Sequence, residues 1–133
     1  VLDTAKDFQN LSLKIVVDGK EIVTEAFMVA IANAKYYGGG IKIAPEADYK
    51  DGLLDVLLVR GITRAKIMKF LPKAIPGKHM GLEEVTLLRG KQIDLYSEEP
   101  VFVNIDGELE ARREAHFVMG EKKVKFIVPR NTF

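Results

Sequence analysis

Two Asp-Gly pairs, Asp18-Gly19 and Asp106-Gly107, each lie between runs in which apolar residues alternate with others. Such a pair is a strong hairpin signal, because both central positions of a type I′ turn need positive φ. Ahead of the first, Leu11, Leu13, Ile15 and Val17 alternate with Ser12, Lys14 and Val16, the period-two pattern of a strand with one buried face. Asp51-Gly52, Gly90-Lys91 and Gly120-Glu121 are further turn signals. The punctuation predicts strands over 11–17, 20–34, 53–59, 84–89, 92–96, 101–105, 109–113, 115–119 and 122–128. The second of these becomes apolar on both faces from Ala26 to Ala32, which predicts a central strand covered on each side. Glu25, Ala26, Met28 and Ala30 are good helix formers, so a helix over 25–34 is the alternative. Thr63 caps a predicted helix over 64–71, with Ile67, Phe70 and Leu71 along one side and Pro72 and Pro76-Gly77 ending it. Short strands at hairpin spacing with one short helix predict a mainly β fold, an antiparallel β-sandwich.

The 133 residues predict one domain spanning 1–133, and 47% apolar residues supply it with a core. With no cysteine there is no disulfide framework, thiolate zinc site or cysteine nucleophile. Twenty Lys and Arg against nineteen Asp and Glu give a net charge of +1, which argues against nucleic acid as a partner. No apolar stretch approaches the roughly 20 residues that span a bilayer, and no secretory signal is visible. The chain starts at Val1, which fits either trimming or a piece of a longer protein.

Four constellations could carry chemistry. The glycine run in Asn33-Ala34-Lys35-Tyr36-Tyr37-Gly38-Gly39-Gly40 either exposes backbone amides to a ligand or makes a tight turn. Tyr36 and Tyr37 beside it either line a pocket or pack on the sheet. Glu46, Asp48, Asp51 and Asp55 form an acidic stretch relieved only by Lys50. Asp48 and Asp51, three apart in a loop, could converge on a hard cation such as magnesium, or be solvated turn residues. Glu108 starts a strand at the sheet rim, where a carboxylate can act as a general base or do nothing. Residues 60–80 hold Arg60, Arg64, Lys66, Lys69, Lys73 and Lys78 and no acidic residue. That basic helix region either meets an anionic surface or packs over the sandwich with its lysines in water. No spacing gives His79 or His116 a catalytic role.

These signals gain a common explanation in a resemblance. Residues 32–56, ANAKYYGGGIKIAPEADYKDGLLDV, and 101–108, VFVNIDGE, resemble two hallmark segments of the bacterial diacylglycerol kinase-like lipid kinases, distant relatives of the NAD kinases. The hairpin around Asp18-Gly19 and the run Phe27-Met28-Val29 also fit. Members of that family have two domains, and their N-terminal domain carries a Gly-Gly-Asp-Gly-Thr nucleotide motif that is absent here. The resemblance thus implies a β-rich C-terminal domain whose partner is the missing N-terminal nucleotide-binding domain. It implies, for the parent, transfer of the ATP γ-phosphate to a lipid hydroxyl such as that of diacylglycerol, with magnesium, in the cytoplasm at the inner face of the membrane.

Carried over by residue, the family's magnesium site falls on Asp48, Asp51 and Leu53, the last through its backbone carbonyl, and its general base falls on Glu108. Asn33 and Asp106 belong to the matching motifs without an assigned role. Residues 60–100 match weakly, which leaves the acceptor open. The resemblance implies that the isolated chain is inactive, since phosphoryl transfer depends on phosphate-binding loops it lacks. A sphingoid base, a phospholipid headgroup or NAD as acceptor is one alternative, and a free-standing binding or regulatory sandwich is another. Sheet edges or apolar area left uncovered would allow a homodimer.

Overall fold

At the first Asp-Gly pair the backbone adopts the anticipated turn, with φ of 48° at Asp18 and 83° at Gly19 in a computed structural model that describes residues 10–61 and 63–125. The turn joins β1 (Leu11–Val17) to β2 (Lys20–Ala26) in antiparallel register, Ile15 opposite Ile22. On its other side β1 pairs with β6 (Gln92–Ile105), Ile15 opposite Leu95, and β6 pairs with β7 (Glu108–Val118) through the second Asp-Gly turn. The four-stranded sheet therefore runs β2-β1-β6-β7. A three-stranded antiparallel sheet, β3-β4-β5, is built from β3 (Met28–Ala32), β4 (Leu54–Val59) and β5 (Val85–Gly90). With helix α1 (Arg64–Ala74) it completes a mainly antiparallel β-sandwich with one short helix.

The smaller sheet is the middle layer. From β4, Val56 and Leu58 join Leu13, Ile15, Val17 and Ile93 of the larger sheet in one apolar cluster. Leu57 and Val59, on the opposite face, join Phe70 and Ala74 of α1 in a second. Period-two geometry thus feeds two cores from one strand, and so β4 reads as an almost unbroken apolar run.

Several expectations about the elements are corrected. The predicted strand over 20–34 is two strands in different sheets. The chain crosses between them at Phe27, whose N–H donates to the Val59 carbonyl at 2.8 Å. Its apolar half, β3, does contribute to both clusters, Val29 and Ile31 to one and Met28 and Ala30 to the other. It is nevertheless an edge strand, because β4 takes the centre. The segments 92–96 and 101–105 are one strand with an irregularity between Tyr96 and Val101, where Pro100 has no N–H to give a ladder. Likewise 109–113 and 115–119 fall in one strand, β7. Helix α1 runs past Pro72 to Ala74; the proline removes a single bond, to the Met68 carbonyl, while Phe70 and Ala74 are buried on either side of it. Its start is as expected, with the Thr63 hydroxyl accepting from the Lys66 N–H at 3.4 Å and the Thr63 carbonyl from the Ile67 N–H at 2.9 Å.

Gly90-Lys91 is no hairpin but the passage from the smaller sheet to the larger. A side chain at Gly90 would meet Val17 Cγ1 at 2.6 Å and Asp18 Oδ2 at 2.9 Å, so glycine is required by close approach. Asp18 secures the passage: its Oδ1 accepts the N–H of Lys91 at 2.9 Å and of Gln92 at 2.8 Å. Of the predicted strand over 122–128, residues 122–125 are not in a strand and 126–128 lie outside the described residues.

Candidate functional site

Between Ala32 and Leu54, the ends of adjacent strands in the smaller sheet, the chain makes one long excursion that contains most of the first motif, whose last residues enter β4. It opens with a tight turn. The N–H of Tyr37 donates to the Ile41 carbonyl at 2.8 Å and the N–H of Ile41 returns to the Tyr37 carbonyl at 3.0 Å. Gly38, Gly39 and Gly40 between them all have positive φ, with open space where their Cβ atoms would be. Conformation, not close approach, requires the three glycines.

That turn presents Tyr37 to the second motif. The Tyr37 hydroxyl donates to Asn104 Oδ1 at 3.0 Å, and the same oxygen accepts the Gly107 N–H at 3.0 Å. Asn104 therefore braces the Asp106-Gly107 turn, where Asp106 has φ 50°, and ties it to the first motif. Between the tied segments lies a cleft of about 560 Å³. Val29 and Ile31 line one wall and Leu95, Val101, Phe102 and Phe117 the other; Asn33, Tyr37, Asn104 and Asp106 supply polar groups, and Arg112, Arg113 and Glu114 charged ones. Glu108 is exposed at the start of β7, opposite Ile105 and two residues beyond Asp106.

Later in the excursion comes the acidic turn. Asp48 Oδ1 accepts the Lys50 N–H at 2.9 Å, the Asp51 N–H donates to the Asp48 carbonyl at 3.1 Å, and Asp51 Oδ1 accepts the Leu53 N–H at 2.8 Å. Both carboxylates are exposed, and each uses one oxygen to shape the turn. Asp55, by contrast, is buried in β4, and Arg89 lies opposite it on β5. The guanidinium Nε donates to Asp55 Oδ1 at 2.8 Å, and Nη2 donates to the Glu46 carbonyl at 3.1 Å with the Glu46 carboxylate 3.6 Å away. Asp55, and to a lesser degree Glu46 and Asp51, hold the Arg89 guanidinium above its ordinary pKa. One arginine thus anchors the acidic stretch to the sheet.

The structure ties Tyr37 to the turn that precedes Glu108, sets Asn33 in the lining of the same cleft, and folds Asp48, Asp51 and Leu53 into one turn of the same excursion. Among the described residues no hydrogen bond or ion pair joins Glu108 to Asp48 or Asp51, and no group of three or more His, Cys, Asp or Glu side chains could hold a metal ion. Arg89 was not singled out in the sequence, since its role appears only when β4–β5 register sets it against Asp55. A lone arginine closing an apolar strand was the available signal. Tyr37 acquires its partner 67 positions away, beyond any local pattern. His79 is buried, with Nε2 3.0 Å from the Ile43 carbonyl and its ring edge-on to Phe70, a structural role.

Against known proteins, residues 1–128 match the family model described as the YegS C-terminal NAD kinase beta sandwich-like domain. A diacylglycerol kinase of Mycobacterium tuberculosis is 37% identical over 84 residues, 62% of this chain and 27% of the relative. A diacylglycerol kinase of Bacillus subtilis is 21% identical over 118 residues, 89% of this chain and 39% of the relative. The crystal structure of a diacylglycerol kinase from Bacillus anthracis superposes with a TM-score of 0.68 at 23% identity, covering 89% of this chain and 42% of that one, a likeness of fold. The chain spans between about a quarter and two fifths of the length of these relatives. With hairpins, glycine turn and cleft in place, the match over nearly every residue makes this chain a member of the YegS C-terminal NAD kinase beta sandwich-like family, within the lipid and diacylglycerol kinase superfamily.

Proposed function

We propose that residues 1–128 form the acceptor-side domain of an ATP-dependent lipid kinase and work with a nucleotide-binding domain elsewhere in the parent protein. The observation that carries this reading is the apolar cleft with the two motif segments tied across it by Tyr37 and Asn104. Apolar walls suit acyl chains, and a polar group placed among them fixes orientation.

In the reaction the lipid hydroxyl oxygen attacks the γ-phosphorus of ATP. Glu108 takes the hydroxyl proton as the new O–P bond forms, and the bond from the γ-phosphorus to the β–γ bridging oxygen breaks to release ADP. Glu108 is exposed at a turn whose shape Asn104 fixes, so a carboxylate is held where a second domain and a lipid could both reach it. Asp48 and Asp51 each keep one carboxylate oxygen outside the turn's hydrogen bonds, and Leu53 adds a carbonyl, a set of hard oxygens that fits magnesium. When bound, that ion would neutralise charge near the domain junction. Arg89 holds the loop that presents these oxygens.

No helix among the described residues is long and apolar enough to cross a membrane. We place the enzyme in the cytoplasm, peripheral to the inner leaflet. Glu108→Gln in the full-length enzyme should lower phosphoryl transfer to diacylglycerol by about 10²–10⁴ with its melting temperature unchanged. Near-normal turnover would remove Glu108 from the chemistry. Labelled ATP tested against diacylglycerol, a sphingoid base and NAD identifies the acceptor, and the 133-residue chain alone should phosphorylate none of them.

A further inference from the structure

We propose that the outward face of α1 is the surface by which this protein lies on an anionic lipid bilayer, which deepens the lipid-kinase reading by naming the face that meets the acceptor's membrane. A helix of a water-soluble protein ordinarily turns apolar residues to the core and polar ones out. Here Ile67, Phe70 and Ala74 face the core as usual. At spacings of three and four, however, Ala65, Met68 and Pro72 share the side turned away from it, and all three are exposed, Met68 by 73%. Ile75, just past the helix, is 59% exposed and continues the apolar surface.

Lysines flank this stripe. Lys66, Lys69 and Lys73 line a hollow of about 210 Å³ together with Phe70, Leu82 and Glu84. Glu84 pairs with Lys66 at 2.6 Å, while Lys69, Lys73 and Lys78 have no ion pair among the described residues. Six of the chain's 20 basic residues and none of its 19 acidic ones fall within 60–80, so the rest of the chain is net acidic. Exposed methionine, proline and isoleucine beside ammonium groups that outnumber the nearby carboxylates complement a negatively charged, apolar-cored interface. A protein partner would need acidic groups matched one by one to these lysines, whereas anionic headgroups rearrange to meet them. The helix is about 16 Å long, so attachment should be shallow, reversible and weakened by salt.

The test is co-sedimentation of the 133-residue chain with vesicles of phosphatidylglycerol mixed with phosphatidylcholine, and with phosphatidylcholine alone. Binding to the anionic vesicles only, lost as salt rises, is expected. Each lysine near such a surface is worth a factor of about five, so Lys69→Gln with Lys73→Gln should lower partition on the order of twentyfold. Met68→Ser should lower it severalfold, and none of these exposed changes should alter the thermal melt. Lys122→Gln with Lys123→Gln, exposed but outside the helix, is the control. Equal loss from both lysine pairs, or no binding to anionic vesicles at low salt, would overturn the inference. If vesicles do not bind but the helix variants weaken association with a separately produced nucleotide-binding domain of a relative, the face is a protein interface instead. Vesicle binding without lipid phosphorylation by the full-length enzyme would keep this surface and sink the acceptor chemistry; phosphorylation of soluble short-chain diacylglycerol without vesicle binding would do the reverse.

Discussion

Strand β4 and residues 101–105 of β6 have almost interchangeable sequences, LDVLLV and VFVNI, each apolar but for one polar residue. Their fates differ. From Asp55 to Val59 every residue of β4 is buried, because the strand is central in the middle layer and has a core on both faces. None of residues 101–105 is buried, and Phe102 is 78% exposed. That segment lies beyond the irregularity after Tyr96, where β6 pairs only with β7 and walls the cleft. The polar residues diverge in the same way. Asp55 is locked to Arg89 inside the sheet, whereas Asn104 ties the two motifs together at the cleft. Apolar density marks a strand that will contact apolar matter; only its place in the sheet decides whether that matter is protein or ligand.

This contrast can be broken by substitution. Leu57→Ala in β4 should cost about 3 kcal/mol, seen as a lower denaturation midpoint, since it opens a cavity against α1. A loss under about 1 kcal/mol would mean that the α1 layer collapses onto the gap. Arg89→Leu comes next. It strips the buried Asp55 carboxylate of its partner, which costs about 3–5 kcal/mol for a fully buried pair and here about 2, because the guanidinium is 38% exposed. An unchanged midpoint in urea would show that Asp55 does not need the arginine. Phe102→Ser should cost less than about 0.5 kcal/mol of stability, as expected of a surface site, yet reduce turnover of long-chain diacylglycerol by the full-length enzyme. A large stability loss with acceptor turnover intact would make the 101–105 segment core instead.

The smallest effect is a pH dependence on the outer face of the larger sheet. The hydrogen bond with His116, 2.8 Å away, and then that from Gln92 hold the Asp94 carboxyl below its ordinary 3.8. A lowered folded-state value means that its stabilisation is present above about pH 4 and lost as pH falls through the lower value. Asp94→Asn should therefore lower stability slightly at neutral pH and converge with the parent in acid, which flattens the acid limb. An identical acid limb in the variant would show that the His116 contact contributes nothing.

Much of the fold could be read locally. The positive φ at Asp18, Gly19, Asp106 and Gly107, the Thr63 cap and the period-two runs all depend on a few neighbouring residues, and each stands where the sequence places it. The motif segments holding Asn33, Asp48, Asp51, Leu53 and Glu108 were likewise visible, because their residue types and spacing persist whatever they pack against.

What local pattern does not contain is which strand neighbours which. An apolar run is equally suited to a central strand and to an edge covered on both faces, so β4 and β3 were separable only by sheet order. The Arg89–Asp55 pair, the Tyr37–Asn104 bond and the fit of Gly90 beneath Val17 each join residues far apart in the chain. Turns and periodicity are set by backbone sterics over a handful of positions, and so they belong to the sequence. The cleft and the anchoring of the acidic loop depend on long-range register between strands, which exists only once the two sheets have packed.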